Sequence, residues 1–240
     1  MGIVSGAIGA IGSLGSLAAG AVSCIGSVCS AIGGAVIHAA GTIGSTLCRY
    51  AISGLGLANT AMSVADTVGT AASYFMERPS GERPEDIGIR AEEAPEKPEN
   101  FDSVHQYIEY LRNEVKADEE KLKGLNSEQR LGYGMLGVGL YIKGLEEKLG
   151  MSLPEDVWKT AAELKYENKL SDKDFTYTLE QMKNRGLEDG QVFSDYFKGT
   201  PTLTFEEGKE VFDSLKEALR KENPNLSDKE LNVKVSALKD

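Results

Sequence analysis

The stretch that decides the fold is residues 2–48, GIVSGAIGAIGSLGSLAAGAVSCIGSVCSAIGGAVIHAAGTIGSTLC. It holds no Lys, Arg, Asp or Glu, and eleven of its residues are glycine. Bulky apolar residues recur at Val4, Ile8, Ile11, Leu14 and Leu17, then at Val22, Ile25, Val28, Ile32 and Val36. The steps are mostly three and four, which is helical spacing. Between them lie almost only Gly, Ala and Ser, so the helix has a bulky stripe and a small-residue face but no charged face. Each glycine costs about 1 kcal/mol relative to alanine in a helix. In water such a helix needs a partner to hold it.

A bilayer supplies one setting, because backbone groups there must satisfy one another and helix is enforced. Small residues four apart let helices approach closely, and Gly2/Gly6, Ser5/Gly9 and Gly12/Ser16 have that spacing. The expected packing face is Gly2, Gly6, Gly9, Gly12 and Gly15. Ile8, Ile11, Leu14, Leu17, Ile25 and Val28 are expected to meet lipid or a partner groove. A span takes roughly 20 residues, so the run can supply two, with a turn near Gly33-Gly34. A third apolar stretch follows from Tyr50 to Met76, with Asp66 inside it. Other readings stay open: a hairpin buried inside an oligomer, a Gly-x-y element through Gly6, Gly9, Gly12 and Gly15, or low-complexity chain.

The rest of the chain differs in kind. Residues 1–76 carry only Arg49 and Asp66 as formal charges, so the net charge of −11 belongs to residues 77–240. Clustered Lys and Arg, which phosphate binding needs, are missing, and this argues against nucleic acid as partner. Residues 77–100, ERPSGERPEDIGIRAEEAPEKPEN, hold four prolines and dense charge, a linker composition. From residue 101 short amphipathic helices follow. One is expected from Ser103 to Gly124, one over about 128–149, and one from Pro154. Capping boxes pair Ser171 with Asp174, Thr204 with Glu207, and Ser227 with Glu230. The expectation is an all-α protein: an apolar Gly/Ala/Ser-rich helical hairpin module (1–76), a linker (77–100) and an acidic all-α domain (101–240).

Catalytic chemistry finds no footing. His38 and His105 are far apart and lack metal partners at helical spacing. The acidic segments at 172–174 and 187–193 lack the ligand pattern of a calcium loop, and no phosphate loop or nucleophile elbow is present. Neither enzyme activity nor a cofactor is expected. Cys24, Cys29 and Cys48 all lie in the apolar run and read as reduced thiols. Ala19-Gly20-Ala21 has the small-residue form of a cleavage site, but nothing basic precedes Arg49, unlike a secretory signal. Gly2 is a candidate for N-myristoylation, although Ser5 and Gly6 put the required hydroxyl one position early.

Met1-Gly2 followed by the Ala/Gly/Ile-rich run from Ile3 to Met76 resembles polyomavirus minor capsid proteins and reovirus-type membrane-penetration proteins. The likeness is one of composition over about a third of the chain. It implies a virion or membrane-associated structural protein with lipid, copies of itself or capsid proteins as partners. The ending VKVSALKD departs from the basic DNA-binding tail of the polyomavirus type. Phage ejection proteins and bacterial helical pore formers have similar runs. The expected function is membrane insertion with oligomerisation, eased by acid as carboxylate repulsion falls. The alternatives are an internal assembly element that never meets lipid, and a permanent anchor.

Overall fold

The computed structural model describes residues 3–53 and 58–239, with side-chain environments given for 15–49, 63–118 and 120–239. The described residues are all-α, with twelve helices: α1 Ile3–Ile32, α2 Ala35–Ser53, α3 Ala58–Phe75, α4 Pro84–Glu93, α5 Val104–Asn113, α6 Glu119–Gly124, α7 Ser127–Leu149, α8 Glu155–Tyr166, α9 Asp172–Asn184, α10 Gln191–Lys198, α11 Phe205–Glu222 and α12 Asp228–Ser236. Two compact units divide the chain, Met1–Glu147 and Lys148–Asp240.

The first unit is built around α7. Its residues 135–142 are all buried, as expected of a helix that is apolar on every side. The glycines of this segment set how closely its neighbours approach. A side chain at Gly139 would overlap the carbonyl oxygen of Ala40 in α2, and one at Gly44 would lie 2.5 Å from the carbonyl oxygen of Met135. The same reciprocal pattern joins α7 to α4. There a side chain at Gly137 would overlap the carbonyl of Pro84, and one at Gly88 that of Tyr133. Both crossings are antiparallel and four residues long on each helix. On α7 the two rows are offset by two residues, about 200° around the axis, so α2 and α4 grip opposite faces. Backbone-to-backbone contact of this kind brings Cα–H groups onto carbonyl oxygens and leaves no room for a Cβ.

Residues 77–100 therefore do more than link. α4 starts with Pro84 at its first position and Glu85 and Asp86 in its first turn, and it buries Ile87, Gly88, Ile89 and Ala91. A proline at that position lacks only an N–H that would be unsatisfied anyway, and acidic groups suit the positive helix end. The apolar third and α7 share one core, so the unit boundary falls after Glu147 rather than in 77–100. The helix expected over 104–124 is also interrupted. α5 ends at Asn113, and Asp118 caps α6 by accepting from the Glu120 and Lys121 backbone N–H groups.

The second unit packs amphipathic helices on an aromatic chain. Trp158–Phe175, Phe175–Phe193 and Phe193–Phe197 have ring centroids 5.5, 5.2 and 5.0 Å apart. The Trp158 indole donates to the Leu153 carbonyl at 3.2 Å. All three capping boxes expected here are present, at Ser171, Thr204 and Ser227.

Candidate functional site

The uncharged run forms a helical hairpin. α1 and α2 meet at Gly33 and Gly34, which have φ of 70° and 91°. This left-handed backbone is where glycine is the default residue. The hairpin's seam is close. A side chain at Gly41 would overlap the Cys29 sulfur and lie 3.2 Å from Ile25, and the Cys29 thiol donates to the Ile37 carbonyl at 3.5 Å. Gly132 of α7 sits against Cys24 and the Ala21 carbonyl of α1.

The tip of the hairpin is tied down from a distant segment. The Val36 N–H, in the first turn of α2, donates to the Glu99 carboxylate at 3.2 Å. Burial pushes the Glu99 carboxyl up. Hydrogen bonds from its own backbone, Val36 and Ala35 outweigh this and hold it below the usual 4.5. The carboxylate thus does for α2 what an N-cap side chain does locally, at the positive end of the helix.

The bulky stripe of the described part of α1 points inward. Ala18, Ala21, Ile25, Val28, Cys29 and Ile32 are buried, Ile25 to 1% exposure. The opposite face is exposed and small: Ser16, Ala19, Ser23, Gly26, Ser27, Ser30 and Ala31, joined on α2 by Ala35, His38 and Thr42. Segment Gly15–Ile32 is long and apolar enough to cross a membrane, yet only 28% of it is buried. A core helix is mostly buried, and an ordinary surface helix has a charged outer face. This one is neither.

The residues singled out from sequence divide accordingly. Ile25 and Val28 face the interior of the unit, where α1 packs on α2 and α4 and Gly41 of α2 lies against Ile25. Leu17 is half-buried. Gly15 borders open space, with nothing within 4 Å of an added side chain, so close packing falls on Gly41, Gly44, Gly132, Gly137 and Gly139. Gly2 lies outside the described residues, as do the surroundings of Gly6, Ile8, Gly9, Ile11, Gly12 and Leu14. The signal for the packing glycines was the likeness in composition between residues 131–145 and the N-terminal run.

No protein-family model matches the chain. No curated protein and no solved structure is significantly similar to it either. Among the described residues no group of three or more His, Cys, Asp or Glu could hold a metal ion, and Cys24, Cys29 and Cys48 are free thiols.

Proposed function

We propose that this chain is a membrane-inserting, oligomerising structural protein that stores its apolar hairpin on α7 and presents the hairpin's outer face to a non-aqueous environment. One observation carries the reading: the outer face of α1–α2 is exposed but uncharged from Gly15 to Cys48. An apolar segment of span length with most of its residues not buried gains free energy on leaving water. No catalytic step is assigned to it.

A second reading rests on the size of the exposed residues. Lipid-facing helix surfaces are rich in Leu, Ile and Val, whereas Gly, Ala and Ser suit close helix–helix contact. The outer face of α1 is of the second kind, so copies of the chain can pack there without lipid, as an internal assembly element does.

The test is co-flotation of the full chain with liposomes, together with dye release and the mass of the lipid-free particle. The comparison is a variant carrying Ala19→Glu, Ser23→Lys and Ser30→Glu. All three positions are exposed, and Glu–Lys four apart supports a helix, so its fold should persist. Flotation by the parent and not by the variant supports insertion. Multimers without flotation, lost in the variant, put the assembly reading first. A monomer that neither floats nor leaks dye removes both.

A further inference from the structure

A cleft of about 250 Å³ opens in the second unit between α8, α10 and the residues that follow α12. Its floor is apolar. Leu164 and Leu238 are 6% and 4% exposed, and the Phe197 ring meets Phe193 and Tyr196 edge-on at 5.0 and 5.2 Å. Drug-sized ligands take roughly 300–1,000 Å³, so this cleft suits a smaller molecule.

One polar group on this surface is unaccounted for. Thr160 of α8 is 4% exposed and lines the cleft, and its hydroxyl is buried without a hydrogen-bond partner. The other buried hydroxyls show what a helix does with such a group. Those of Thr67, Thr176, Thr178, Ser194 and Ser214 each donate to a carbonyl three or four residues back in their own helix, at 2.7–3.0 Å. Thr160 does not. A buried hydroxyl left open costs free energy, whereas valine has the same shape and no such cost. A ligand atom bonded to Thr160 removes that penalty.

The charges beside the cleft select the ligand's head. Lys169 is paired with Glu167 at 2.8 Å, and Lys198 with Asp156 at 2.7 Å. Glu163 faces Lys159 at 3.9 Å. Lys239 lines the cleft and has no carboxylate partner among the described residues. Its ammonium lies over the Tyr196 ring, 3.9 Å from the centroid, a cation–π contact that holds it beside the cleft. The open donors are therefore one ammonium and one hydroxyl, and a single anion can accept from both.

We propose that this cleft binds a small monocarboxylate with an apolar body. Thr160 Oγ1 and Lys239 Nζ receive the head, and the body rests on Leu164, Leu238 and Phe197. The probe is phenylacetate, titrated into the full chain with amide and methyl NMR shifts as the readout. Saturable shifts at Thr160 and Leu238 are expected. Thr160→Val keeps the shape and removes the hydroxyl. It should weaken binding roughly tenfold, the worth of one hydrogen bond to a charged group, while the melting temperature holds or rises. Lys239→Gln should weaken binding severalfold, as loss of an exposed ion pair does. Lys209→Gln, at an exposed lysine of α11 outside the cleft, should change nothing. Benzylamine, which carries the same apolar body on an ammonium, should not compete. The proposal is overturned if phenylacetate gives no saturable shift, or if Thr160→Val binds as the parent does or melts at a lower temperature. It is equally overturned if Lys209→Gln weakens binding as much as Lys239→Gln, or if benzylamine binds as tightly as phenylacetate.

Discussion

Gly139 lies so close to the carbonyl of Ala40 that any side chain there would overlap it. The contact fixes α2 on α7 at backbone distance, and Gly44 against the Met135 carbonyl repeats it one turn away. Replacing Gly139 with Ala forces the two helices apart. The expected loss is about 1–3 kcal/mol, the usual cost of overpacking. Gly134, on the same helix, has nothing within 4 Å of an added side chain. Gly134→Ala should therefore stabilise by up to about 1 kcal/mol through helix propensity alone. Urea denaturation of the two variants checks this, and equal effects of the same sign would refute the glycine crossing.

The Arg112–Glu82 pair gives a second contrast. Both side chains are more than nine-tenths buried, so Arg112→Ala leaves an uncompensated buried carboxylate. That costs about 3–5 kcal/mol in comparable cases. The pair Lys198–Asp156, at 2.7 Å, is 42% and 34% exposed, and Lys198→Ala should cost less than about 1 kcal/mol. Thermal unfolding of both variants would separate the cases, and a small shift for Arg112→Ala would mean that Glu82 is hydrated once its partner is gone.

These contacts show what sequence could and could not disclose. The capping boxes at Ser171, Thr204 and Ser227 were legible because each needs only residues three apart. The turn at Gly33-Gly34 was legible for the same local reason. α4 was not, since four prolines and dense charge in residues 77–100 hid the apolar pair Ile87 and Ile89, although Pro84-Glu85-Asp86 is itself a helix start. The glycine-rich composition of residues 131–145 marks α7 for close packing but does not name the partner. Ile25 and Val28 were legible as one stripe, but spacing alone does not distinguish lipid from the interior of the unit as the surface they meet. That choice is tertiary.

The Glu99 cap has a defined pH dependence. Its folded-state pKa lies below the ordinary 4.5. Its contribution is therefore complete above that value and is lost as pH falls through the depressed one. The Val36 amide should stay protected from hydrogen exchange from neutral pH down to the ordinary carboxylate value of 4.5, and open only as pH falls further, through the depressed one. In Glu99→Ala it should be open throughout. Opening of the parent at mild acidity would show that carboxylate repulsion elsewhere, rather than this cap, controls the hairpin tip. Mild acid can bring the acidic chain nearer a bilayer, but on this structure it leaves the turn closed.

The three thiols report whether the hairpin leaves α7. Cys29 and Cys48 are buried, and Cys24 is half-buried beside Gly132. In water a maleimide should label Cys24 first, with Cys29 and Cys48 protected until the protein unfolds, since a thiol must be reached by the reagent to react. If α1 and α2 insert as a pair, their seam at Gly41 survives and Cys29 stays protected, whereas Cys24 loses its α7 neighbour and passes into the bilayer. Liposomes should then slow a water-soluble maleimide at Cys24 and leave its reaction with a lipid-soluble one intact. If copies pack through the outer face without lipid, Cys24 keeps its place beside Gly132 and its labelling does not change on adding vesicles. Rapid labelling of Cys29 and Cys48 on vesicle addition would mean that the hairpin separates into single helices, and the storage of a preformed pair on α7 would be wrong.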